Sequence, residues 1–133
     1  MMDLVPCKSE YWEFVRILRN DERVSNGFIS QIFITPEMQI EYMAKHSDNY
    51  RIALYNGSPA GYIGVINDDI RICTHPDFQR KGVAKFMLDA IQDIWPNSTA
   101  RIKVDNLASL NLFKSCGYEI EYYHLAKKTA EKA

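Results

Sequence analysis

The amino-acid sequence predicts an α/β domain of the α+β type, with one mixed, mostly antiparallel sheet flanked by helices. Its 133 residues, 47% apolar and 25% charged, suffice for one compact domain over 1–133 and not for two. At Asn49 the apolar period changes from helical to two, and the turn signals Asn56-Gly57 and Asn67-Asp68-Asp69 then separate successive strand patterns. Beyond those strands, Gly82 opens an apolar stripe at helical spacing.

The elements follow in chain order. Ser9 is an N-cap candidate for a helix in which Tyr11, Phe14, Val15 and Leu18 share one face. Thr35, Pro36 and Glu37 read as N-cap, first helical residue and acidic first turn, which predicts a second helix over 36–45. Between the two, residues 28–34 read as a short strand or an irregular loop. Tyr50, Ile52 and Leu54 alternate on one strand, and Asn56-Gly57 supplies the positive-φ turn into a return strand over 60–66. Ile70, Ile72 and Thr74 continue this meander until His75-Pro76 ends it. Val83, Phe86, Met87, Ala90, Ile91 and Ile94 then predict a long core-facing helix stopped by Pro96. Residues 100–104 read as a buried strand, Asn106 caps a short helix that Gly117 terminates, and residues 118–125 alternate as a last strand. The charged tail over 127–133 is expected to fray.

Composition narrows the function. Sixteen Lys and Arg against seventeen Asp and Glu leave a net charge of -1, without the basic excess that drives nucleic-acid or anionic-membrane binding. Cys7, Cys73 and Cys116 are odd in number and widely spaced, which excludes a zinc ligand set and fits reduced thiols in a cytoplasmic protein. No apolar run approaches the ~20 residues that span a bilayer, and the first ten residues lack the order of a secretion signal.

Chemistry concentrates around the stretch from Gln79 to Lys85. Here a strand runs into a helix, where unpaired N–H groups and the helix dipole favour an anion. Gly82 permits close backbone approach, Ala84 is small, and Arg80, Lys81 and Lys85 add positive charge around Val83. The triphosphate pattern Gly-x-x-x-x-Gly-Lys-Ser/Thr and the dinucleotide pattern Gly-x-Gly-x-x-Gly are both absent.

Gln79-x-x-Gly82-x-Ala84 resembles the acyl-CoA loop of the GNAT N-acetyltransferase superfamily, Gln/Arg-x-x-Gly-x-Gly/Ala. Upstream, Thr74-His75-Pro76-Asp77-Phe78 resembles the lead into that loop. Downstream, Asn106, Ser109, Phe113, Gly117 and Tyr118 resemble the superfamily's Asn-x-x-Ala/Ser-x-x-x-Tyr/Phe-x-x-x-Gly-Phe segment. The resemblance covers about residues 50–120. It implies acetyl-CoA as co-substrate, pyrophosphate on the loop amides, and pantetheine against the free edge of the strand carrying Ile72, Cys73 and Thr74. It places Asn106 and Ser109 along the pantetheine arm and an N–H near Cys73 or Thr74 at the thioester oxygen. Cys73 itself is expected to be a small apolar strand residue without a covalent role.

Two positions bear on proton transfer. Many relatives carry a Tyr where this chain has Phe113, which has no proton to give. A thiolate of pKa ~8.5 leaving near pH 7 is uphill by about 2 kcal/mol, so water or another hydroxyl must cover the loss. Asp68 lies roughly where some relatives carry a basic Glu and is the candidate general base. His124 and Glu121 are alternatives, whereas His75 and His46 read as structural.

Leu18-Arg19-Asn20 and Val24 resemble a stretch of amino-sugar N-acetyltransferases, including those acting on nucleotide-linked amino sugars, which makes Arg19 a candidate for a substrate phosphate or carboxylate. The expected activity is acetyl transfer to a small-molecule primary amine, by a monomer or homodimer with no metal. A catalytically weak acyl-CoA sensor and a protein or peptide N-acetyltransferase are the alternatives.

Overall fold

The computed structural model describes residues 1–128. Four strands, β1 (Met2–Pro6), β2 (Tyr50–Tyr55), β3 (Ser58–Ile66) and β4 (Asp69–Thr74), form an antiparallel sheet in the order β1-β2-β3-β4. Five helices surround it: α1 (Trp12–Asn20), α2 (Glu22–Ser25), α3 (Pro36–His46), α4 (Val83–Ala90) and α5 (Leu107–Ser115). No helix among the described residues is long and apolar enough to cross a membrane.

The meander forms where the turn chemistry places it. Asn56 and Gly57 adopt φ of 49° and 86° between β2 and β3, and Asn67 and Asp68 adopt 52° and 63° between β3 and β4. Such paired positive-φ residues match the right-handed twist of a tight hairpin. Helix α3 starts as its sequence dictates, with the Thr35 hydroxyl accepting from the Met38 amide at 3.2 Å and Pro36 in its first turn.

Both faces of the sheet are covered. On one, Ala53, Ile63, Val65 and Ile70 pack with Met87 and Leu88 of α4 and Phe113 of α5. On the other, Tyr50, Ile52, Tyr62 and Cys73 pack with Val15 and Leu18 of α1 and Met43 of α3. Burial on two sides explains why β3 reads as a nearly continuous apolar run. Gly64 on β3 lies so close to the Tyr50 ring that any side chain there would collide with it.

Four sequence expectations are corrected, and one strand escaped the sequence reading. Strand β1 carries too few residues for a period to register, yet it pairs along β2 with Leu4 opposite Ala53. Ser9 does not cap α1: residues Ser9–Tyr11 form a 3₁₀ turn, and α1 begins at Trp12 without a side-chain cap. Helix α4 stops at Ala90, because the chain tightens into i→i+3 bonds such as Ile94 N–H to Ile91 C=O at 3.0 Å, which leaves Ile94 exposed. Residues 100–104 form no strand. Thr99 makes one parallel bridge with Asp69, after which Ala100 and Ile102 satisfy their alternation by packing on the core without a ladder. Residues 118–125 consequently find no partner edge, and Ile120, Tyr122, Tyr123 and Leu125 are exposed. Lys127 and Lys128 are exposed, and the remainder of the predicted frayed tail lies outside the described residues.

Candidate functional site

Beyond Thr74 the chain makes a 3₁₀ turn over Pro76–Phe78, in which His75 Nδ1 accepts from the Asp77 amide at 3.1 Å. Arg80 and Gly82 then take positive φ, 65° and 81°, and Gly82 caps α4. The first helical bond runs from Phe86 N–H to Gly82 C=O at 3.0 Å, so the N–H groups of Val83, Ala84 and Lys85 precede any intrahelical acceptor. A Cβ placed on Gly82 would meet nothing within 4 Å, so open space faces this turn. Gln79, Arg80, Lys81, Gly82 and Lys85 are exposed, whereas the Val83 side chain is core and offers only its backbone. Lys85 is drawn along the helix to Asp89 at 2.9 Å, and Lys81 lies 5.7 Å from the Tyr55 ring centroid.

The segment after Thr99 diverges from β4. Thr99 N–H reaches Asp68 C=O at 2.7 Å and Ile70 N–H reaches Thr99 C=O at 2.8 Å, and these are the backbone bonds joining the two segments among the described residues. Past that point the outer edge of β4 is unpaired, and the wedge opens into a cavity of about 450 Å³. Ile70, Arg71 and Ile72 form one wall, Ala100 and Ile102 the facing one, and Asn106, Ser109 and Phe113 of the α5 segment line it further. Thr74 Oγ1 is buried without a hydrogen-bond partner among the described residues, leaving polar capacity beside the unpaired edge.

Helices α1 and α3 close the opposite side with Arg19, Gln39, Tyr42 and Met43, while Tyr50 and Tyr62 form the floor. The Tyr42 and Tyr50 hydroxyls are 2.7 Å apart. Burial raises the Tyr50 and Tyr62 phenols above their ordinary range, so both stay neutral hydrogen-bonding groups. The irregular stretch 26–34 roofs the cavity. Asn20 fixes one end of it by donating to Ile34 C=O and accepting from Ile34 N–H, both at 2.8 Å. Lys103 fixes the other end by donating to Asn26 C=O at 2.9 Å.

The sequence profile of the acetyltransferase (GNAT) family matches residues 11–118, which encompass the loop, the wedge and most of the cavity lining. The chain belongs to this family. As a GNAT acetyltransferase it uses acetyl-CoA as co-substrate and transfers the acetyl group to an amine. Solved structures of known proteins share the fold. Spermidine N-acetyltransferase from Vibrio cholerae, in complex with CoA and spermine, superposes with a TM-score of 0.79 at 19% identity, covering 96% of this chain and 85% of that one. Ribosomal-protein-alanine N-acetyltransferase from Brucella melitensis gives 0.78 at 13% identity, over 88% and 84%. AAC(6')-Iy, in complex with the bisubstrate analogue CoA-S-monomethyl-acetylneamine, gives 0.69 at 18%, over 98% and 99%. A search of curated protein sequences returns no significant match.

The GNAT fold brings together part of the residue set read from the sequence. Ile72, Asn106, Ser109, Phe113 and Arg19 line one cavity although they span 95 positions. Asn106 is also the α5 cap, its Oδ1 accepting from the Ser109 amide at 3.2 Å. Cys73 is buried beside the cavity with its thiol pushed up to about 12 by desolvation, which agrees with a packing role.

Asp68 stands elsewhere, in the exposed β3–β4 turn outside the cavity lining. Its backbone carbonyl holds Thr99 at 2.7 Å, and the residue is not among those that line the cavity. Glu121 and His124 are exposed on the unpaired C-terminal stretch. His46 packs on Tyr42 with ring centroids 4.6 Å apart, and His75 packs between Phe14 and Phe78. Tyr42, Tyr50, Tyr62, Gln39, Arg71 and Arg101 escaped the sequence reading although they line the cavity. Tyr62, next to Gly61 on a strand, carried a weak signal in the sequence, whereas Tyr50 meets Gly64 only through the strand register. A second open groove of about 630 Å³ involves Cys7, Trp12 and Arg51 and contains none of the predicted site residues.

Proposed function

We propose that the protein acetylates the primary amine of a small molecule with a weakly basic nitrogen, an α-amine or an amino sugar, including nucleotide-linked ones. One observation carries this reading: the unpaired edge of β4 runs from the free amides at the start of α4 into the cavity lined by Arg19, Ile72, Asn106, Ser109 and Phe113.

The amides of Val83, Ala84 and Lys85 would hold the pyrophosphate of acetyl-CoA, aided by Arg80 and Lys81. The edge of Ile72, Cys73 and Thr74 would take the pantetheine arm, with Asn106 and Ser109 along it and an N–H near Cys73 or Thr74 at the thioester oxygen. Acetyl transfer forms a C–N bond, breaks the thioester C–S bond and moves one proton from nitrogen to sulfur. Phe113, which lines the cavity, has no proton to give, and the one lining carboxylate among the described residues, Asp69, is paired with Arg71 and Arg101, so the reaction suits an amine that is already partly neutral. At pH 7 about one in ten molecules of an amine with pKa ~8 is neutral, against about one in 2,500 for a lysine-like amine. The structurally similar spermidine, aminoglycoside and ribosomal-protein-alanine N-acetyltransferases are likewise named for amine acceptors.

The lack of a proton donor at Phe113 favours a second reading, an acyl-CoA sensor of weak activity. A thiol-release assay with acetyl-CoA and a panel of amino sugars, α-amino acids and lysine peptides separates them. The enzyme releases CoA only when a primary amine is present, and the sensor binds acetyl-CoA without amine-dependent release. A lysine peptide that outruns every amino sugar and α-amine would move the acceptor to proteins.

A further inference from the structure

The cavity is electrostatically lopsided. Three guanidinium groups line it, those of Arg19, Arg71 and Arg101, against one carboxylate, Asp69. Asp69 is shared: Arg101 forks onto it through Nε and Nη2 at 3.4 and 3.2 Å, and Arg71 Nε reaches the same carboxylate at 3.4 Å. Arg19 has no carboxylate partner among the described residues. It lies over the Phe28 ring, 4.9 Å from the centroid, with a 3.5 Å contact to Ser30 C=O. Arg19 and Arg71 line the same cavity as the Tyr50 and Tyr62 floor.

An uncompensated positive excess in a half-enclosed cavity has two effects on an incoming amine. It disfavours the ammonium form, lowering the amine pKa and doing part of the work of the missing base. It also penalises any acceptor that brings only positive charge, and rewards one that brings an anion to the guanidinium groups. We propose that Arg19 and Arg71 form an oxyanion seat, and that the acceptor carries a carboxylate or a phosphate ester beside its amine. This deepens the acetyltransferase reading above and rests on it. It also separates this cavity from one suited to polycationic amines.

The test compares acceptors that differ in one anionic group: leucine with leucinamide, and glucosamine 6-phosphate with glucosamine, with spermidine as the polycation. For at least one pair the anionic member is expected to have the higher kcat/KM by about tenfold or more. In Arg19→Ala and Arg71→Ala that preference should fall below about threefold, and Arg19→Lys should restore part of it. Preference in the first pair alone identifies the seat as a carboxylate site, and in the second alone as a phosphate site. A separate arm avoids turnover: calorimetric titration of the CoA-saturated protein with the N-acetylated products of the same four compounds. There the anionic products should bind more tightly, by a margin that Arg19→Ala removes. Absence of acetyl-CoA binding, or of any amine-dependent thiol release, would bring down the acetyltransferase reading, and product titration would still decide the anion seat. Equal binding and turnover of charged and neutral members, spermidine as the best acceptor, or a preference unchanged in both arginine variants would overturn the proposal.

Discussion

Two thiols illustrate what burial does to a single residue. Desolvation pushes Cys73 up to about 12 and Cys7 up to about 11, each from an ordinary value near 9. A raised folded pKa means that the native state resists deprotonation, so this stabilisation is fully present below about pH 9. It is lost as pH climbs through the folded values. The urea midpoint should therefore fall progressively from pH 9 towards about 12, and Cys73→Ala should flatten the fall. The same substitution should leave kcat within about threefold of wild type, and a loss of a hundredfold or more would assign the thiol a chemical role. Phe113 offers the complementary test. Its ring is 4% exposed, packs edge-on against Tyr118 at 5.1 Å and also borders the cavity. If thiolate protonation limits turnover, Phe113→Tyr should raise kcat by up to about tenfold, read alongside the melting temperature because a hydroxyl is being added to a packed site. Asp68→Asn, in an exposed turn, should cost under about 1.4 kcal/mol in kcat/KM.

At the scale of the element, the turn from Gln79 to Gly82 and the roof over 26–34 carry separable tasks. Gly82 sits at φ 81° with open space where a side chain would point. Gly82→Val therefore collides with nothing in the protein itself, but it imposes backbone strain of about 1–2 kcal/mol and a branched side chain in the path of an anion. Calorimetry should show acetyl-CoA affinity reduced at least about tenfold with the fold retained, and unchanged affinity would refute the phosphate role of this turn. Asn20 holds the roof through two bonds to Ile34. Asn20→Ala should raise the acceptor KM about threefold to tenfold while acetyl-CoA affinity stays at the wild-type value.

These elements differ in how far the sequence revealed them. The Asn-Gly and Asn-Asp turns, the Thr35-Pro36 start and the Asn106 cap with its Gly117 stop are local chemistry, and each appears where its residues require. Residues 100–104 and 118–125 carry a strand period without a partner. A period reports which side chains face the core, whereas a ladder depends on a neighbouring edge that no local pattern encodes. The cavity was legible to the extent that its residues carry motifs, as Asn106, Ser109 and Arg19 do. Arg71, Arg101 and the tyrosines of the floor acquire their meaning only from strand register and from the divergence after Thr99.

For the whole molecule, the sheet with helices on both faces builds three zones along one path: a turn with free backbone amides, an unpaired strand edge and a cavity with an excess of guanidinium groups. The path orders the reaction, because the edge that would hold the pantetheine arm ends beside the cavity that would hold the amine. With no free carboxylate among the cavity-lining residues, the acceptor's own pKa should govern the rate. The pH profile of kcat/KM should rise and level off near the pKa of the amine used, moving with it from one acceptor to another. The most direct measurement of the central claim is thiol release from acetyl-CoA, with mass spectrometry of the acceptor, in wild type and Gly82→Val. The account predicts one N-acetylated amine per CoA released in wild type, strict dependence on a primary amine, and at least about a tenfold lower kcat/KM for acetyl-CoA in the variant. Acetyl-CoA binding without release under any amine, or release indifferent to Gly82, would contradict it.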